Sequence, residues 1–165
     1  LTVHLPIALT VLVPLFAIGA MWAVRRGVAF RRAWGVAVGM LALLFASAWL
    51  ALQTGQQEED RVENVVAESA IEVHEEAAER FLVWTGVVLL VASAGFLRGR
   101  SGAVARGVAT LGTLTLVGAG YAVGHSGGNL VYREGAAMAY ASPASPGSAT
   151  SRDRARDEEH DEKKH

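Results

Sequence analysis

Residues 5–24 read LPIALTVLVPLFAIGAMWAV, an apolar run without one charged side chain. A helix needs about 20 such residues to cross about 30 Å of hydrocarbon. Residues 33–52, 81–97 and 107–123 repeat the pattern, and Arg, Asp and Glu crowd the connections between the blocks. A water-soluble core does not require charge to be segregated so cleanly, so hydropathy predicts four spans. The expected fold is all-α, a polytopic membrane protein built as a four-helix bundle over about 3–24, 33–52, 66–97 and 107–125. At 52% hydrophobic residues and a mean hydropathy of +0.29, the composition agrees. The first block is not expected to be a cleaved signal peptide, because it lacks a basic leader and runs directly into a second span.

The net charge of −1 becomes informative once it is divided by connection. Residues 25–32 and 98–106 carry Arg25, Arg26, Arg31, Arg32, Arg98, Arg100 and Arg106 and no acid. Residues 53–80 carry nine carboxylates against Arg61 and Arg80. The positive-inside rule predicts that the two basic connections face the cytoplasm, with both chain ends and the acidic connection on the periplasmic or extracellular side of a bacterial inner membrane. Residues 63–80 lack Gly and Pro and are rich in Ala, Glu and Val, so helix three is expected to start ahead of the membrane, near an N-cap at Asn64 or Ser69. From Ser142 the chain turns to Ser, Pro and mixed charge, a composition that buries too little to order itself. The expected division is a transmembrane domain over 1–140 and a disordered polar tail over 141–165, with His160 and His165 solvated in the tail.

Three other histidines, His4, His74 and His125, fall at the water ends of different apolar blocks, all on the predicted outer side. Ionisable groups at such depths are functional candidates. Glu75 and Glu76 adjoin His74 and are candidates to orient its ring, and Ala78 leaves space on the same helix face. With no cysteine there is no thiolate site and no thioether-linked haem, so any haem is b-type. Gly120 and Gly124, like Gly35 and Gly39, are spaced for close helix contact, and Gly127-Gly128 read as a helix stop directly after His125.

The opening VHLPIAL (residues 3–9), His74 ahead of the third block, and GHSGGNLVY (residues 124–132) together resemble a bacterial membrane family catalogued as domain of unknown function 2231. The resemblance spans about 1–140. It implies four helices and a respiratory or redox setting, without implying an activity. In that pattern Val-Tyr-Arg is often followed by His-Gly, whereas this chain has Glu134-Gly135. A ligand at that position would then be a carboxylate, which favours a mixed N/O metal site over a further imidazole pair.

Three functions are compatible with these residues. The first is a redox protein or subunit that holds haem b through His74 and His125, with His4 beside them, and passes electrons in a respiratory or photosynthetic-type chain. The second is a copper or zinc site of His4, His74, His125 and Glu134. The third is a structural or accessory subunit of a larger membrane complex, with no cofactor of its own. The expected partners are the lipid bilayer and other membrane or redox subunits, not nucleic acid. No nucleophile, base and orienting group stand together in the sequence, so no enzyme is predicted. No charged residue interrupts a span, so transport is not predicted either.

Overall fold

The computed structural model describes residues 4–62 and 68–132, all of them in four helices or the two short turns 26–29 and 95–98. The helices are α1 (His4–Arg25), α2 (Phe30–Val62), α3 (Glu68–Ala94) and α4 (Gly99–Tyr132). Each is long and apolar enough to cross a membrane. α1 packs on α2 and on α4, and α3 packs on α2 and on α4, while the backbones of the diagonal pairs α1/α3 and α2/α4 do not approach each other among the described residues. The bundle is therefore a four-membered ring in chain order.

The core follows the helical period. Leu9, Val13, Ala17 and Ala20 line one stripe of α1; Trp34, Ala37, Leu41, Leu44 and Ala48 line α2. Phe81, Val88 and Ala92 of α3 meet Ala109 and Leu116 of α4. The opposite faces are just as apolar: Leu15, Val83, Leu90 and Leu111 are 60% to 74% exposed. Such surfaces are compatible with lipid as the solvent and would be costly in water. Buried hydroxyls turn back onto their own helices: Thr10 to the Pro6 carbonyl at 2.7 Å, Thr85 to that of Phe81 at 2.7 Å and Ser47 to that of Leu44 at 2.9 Å. No side-chain polar atom buried among the described residues lacks a partner.

Helix boundaries depart from expectation at the connections. α2 runs through the acidic stretch to Val62 rather than stopping near residue 52, because Gln, Glu and Arg are good helix formers there. α3 begins at Glu68, which puts Ser69 inside the helix rather than at its cap. Asn64 and the tail from residue 133 lie outside the described residues. The basic residues 100–106 are the first turns of α4 rather than a loop, and α4 continues through Gly127 and Gly128 to Tyr132 instead of stopping after His125.

α1 ends in a Schellman turn. The Val28 amide donates to the Ala23 carbonyl at 3.0 Å and the Gly27 amide to that of Val24 at 3.1 Å, with Gly27 at φ +90°. A Cβ on Gly27 would touch nothing, so the cost of a side chain there is purely conformational. Gly27→Ala should lower stability by about 1–2 kcal/mol and Gly27→Asn by less, as read from denaturation of the purified protein in micelles.

Candidate functional site

His4 opens α1, His74 lies in the second turn of α3 and His125 near the end of α4, so all three share one end of the bundle. The antiparallel register is visible in the contacts: Gly120 of α4 would place a Cβ 2.7 Å from the Thr10 methyl of α1, and Gly127 one 3.0 Å from Cε1 of His74. The common depth expected for these histidines is present. Lateral convergence is not.

His74 is half-buried and lies against α4. Its Nδ1 is 2.9 Å from Ser126 Oγ, and that hydroxyl is 3.0 Å from the Val123 carbonyl. The carbonyl can only accept, so the single hydroxyl proton is assigned to it, and Oγ accepts from the imidazole Nδ1–H. In the neutral imidazole the remaining lone pair is then on Nε2. The carboxylates expected to orient the ring are engaged elsewhere. Glu75 accepts from Gln56 at 2.8 Å, and Glu76 pairs with Arg80 one turn along α3.

His125 is exposed and stacks on Tyr121, with ring centroids 5.9 Å apart and planes at 15°. Tyr121 is itself 73% exposed. At 100° per residue, His125 lies about 160° around α4 from both Val123 and Gly127, the positions nearest His74. The body of α4 therefore separates the two imidazoles. His4 is exposed on α1. Axial ligation of one haem iron requires two imidazoles to face each other across the metal, so His74 and His125 of one chain do not fit a haem within the bundle. Among the described residues no group of three or more His, Asp or Glu is gathered as a metal ligand set, and Glu134 lies outside them.

The arrangement of His74, Ser126 and Gly127 is a helix clamp. Gly127, lacking a Cβ, lets the ring approach α4 closely, and Ser126 satisfies its N–H. Among the described residues the pair is not set up as a nucleophile and base, because the hydroxyl proton is directed to a carbonyl and no carboxylate there orients the imidazole. Sequence reasoning missed Ser126, although it adjoins His125. The signal was available in the period: Ala109, Thr113, Leu116, Gly120, Val123 and Gly127 fall on one stripe once α4 is continued past His125. Gly35, Gly39 and Gly124, read as contact positions, face open space, whereas Gly112 and Gly120 receive Val88 and Thr10.

No protein-family model matches this chain, and no curated protein or solved structure matches it either.

Two variants test the clamp. His74→Ala and Ser126→Ala should each destabilise the protein in micelles, and a double-mutant cycle should return a coupling of about 1 kcal/mol. A coupling near zero would show that the two side chains do not bond. Gly127→Leu should cost more than either, since even its Cβ would stand 3.0 Å from Cε1 of His74 and the branched side chain would displace the ring from Ser126.

Proposed function

We propose that this protein is a membrane-embedded accessory subunit of a larger bacterial inner-membrane assembly, with its histidine end on the periplasmic or extracellular side. Membership of the domain of unknown function 2231 family is part of this reading and rests on the two end motifs. The observation that carries it is the division of labour among the histidines. His74 is used to hold α3 against α4, while His125 and Tyr121 are presented outward, where a neighbouring membrane or redox subunit would meet them. Orientation is supported by the arginine-only connections at one end and the carboxylates of α3 at the other.

A second reading is favoured by one observation. Donation of the His74 Nδ1–H leaves Nε2 with the lone pair that a b-type haem or a copper or zinc ion takes, with Ser126 fixing the tautomer. In that reading the other ligands come from outside the bundle, and the assembly passes electrons through a cofactor shared between chains.

A pyridine haemochrome spectrum and elemental analysis of the purified protein separate the two readings. The accessory reading expects a colourless preparation without stoichiometric metal. A haem or metal bound one per chain, and lost in His74→Ala without loss of helicity, would replace it with the redox reading. The absence of native cysteine makes topology simple to measure. Single cysteines at Gln57 and Ser101 should label from outside and from inside respectively, and labelling of residue 101 from outside intact cells would overturn the orientation.

A further inference from the structure

The end of the bundle opposite the histidines carries Arg25, Arg26, Arg31, Arg32, Arg98, Arg100 and Arg106. Tertiary contacts bring the two turns of this end together. The Trp34 indole N–H of α2 donates to the Ala92 carbonyl of α3 at 2.8 Å, and the Arg106 guanidinium lies 5.1 Å from the centre of the Phe30 ring. Two arginines have local partners: Arg106 donates to the Gly95 carbonyl, and Arg26 lies over the Trp22 ring. Arg25, Arg31, Arg32, Arg98 and Arg100 are exposed. Residues 5–57 and 81–132 contain no Asp or Glu at all, so these helices offer the cluster no carboxylate. Among the described residues these helices leave the positive charge at this end uncompensated.

Beside the cluster, an open groove of about 500 Å³ runs between α3 and α4, lined by Val91, Arg100, Ser101, Val104, Ala105 and Val108. Its order along the helix axis is that of a lipid. Arg100 and Ser101 stand at the loop end, and Val104, Ala105 and Val108 follow towards the middle of the span on successive turns. Arginine presents a planar fork of donors that matches phosphate oxygens, and a serine hydroxyl adds one more donor. Basic sites between membrane helices are suited to anionic headgroups.

We propose that this groove seats one anionic phospholipid, with the headgroup phosphate at Arg100 and Ser101 and an acyl chain along Val104 and Val108. The other exposed arginines raise the local concentration of anionic lipid around the groove without specifying its place. The proposal rests on the bilayer reading but not on the accessory role. Alkaline extraction of membranes comes first, because release of the chain into the soluble fraction is failure of the bilayer reading itself.

The test proper is lipid retention by the full chain, delipidated in neutral detergent and followed by native mass spectrometry with phosphatidylglycerol or phosphatidylcholine at equal concentration. Phosphatidylglycerol should be retained about fivefold over phosphatidylcholine, with inorganic phosphate failing to displace it. Arg100→Gln should reduce the preference to near parity, and Val104→Trp, which fills the groove, should reduce retention of both lipids. Arg80→Gln, at the far end, should change neither. Equal retention of the two lipids by the wild type would overturn the proposal. So would a preference unaltered in Arg100→Gln, which is exposed and keeps its helicity, or displacement of the lipid by free phosphate.

Discussion

The constraint on which the rest of the structure depends is that the bundle is as apolar outside as inside. Leu90 at 74% exposed and Leu44 at 0% exposed belong to the same kind of span. In a bilayer, the surroundings we propose, burying Leu44 would yield little free energy, and helices would associate through close packing and hydrogen bonds instead. The fold shows both. Val88 fits against Gly112 and Thr10 against Gly120, contacts too close for any larger residue on α4 without displacement. Hydroxyls that would be expensive to leave unpaired in such surroundings donate to the previous turn of their own helix. Among the described residues, side-chain hydrogen bonds between helices sit near the two ends, Trp34 to Ala92 at one and Gln56 to Glu75 and His74 to Ser126 at the other.

That distribution shapes what each end can do. At the arginine end the indole of Trp34 and the guanidinium of Arg106 tie the α3–α4 turn to α2, which holds the neighbouring basic side chains around a fixed frame. At the histidine end one imidazole is used as a structural donor and two are left facing outward. A residue that looks like a ligand in the sequence can therefore serve packing.

Glycine shows the same competition between local preference and packing. Gly127-Gly128 reads as a helix terminator, and each glycine costs about 1 kcal/mol in a helix interior. α4 nevertheless continues, and Gly127 is where the His74 ring comes closest, its Cε1 3.0 Å from the place a Cβ would take. Gly27 is the contrary case: a positive φ and two capping hydrogen bonds end α1 where the local sequence would end it.

The sequence by itself determined that this chain forms four long apolar helices, that their polar connections alternate in charge, and that three histidines fall at one end. Those properties follow from span length, composition and alternation, all of which are local. It did not determine the extent of α4, because whether a glycine-containing stretch stays helical is decided by what packs on it. Nor did it determine which way the histidines point. Each residue turns a helix by 100°, so extending α4 by two turns past the expected stop assigns the inner stripe to Val123 and Gly127 and sends His125 to the outside. The partner of His74 was a serine one position away from the residue that sequence reasoning had chosen. Only the packing of α3 against α4 distinguished the two, because depth along the axis is a property of sequence position and azimuth is a property of the assembled bundle.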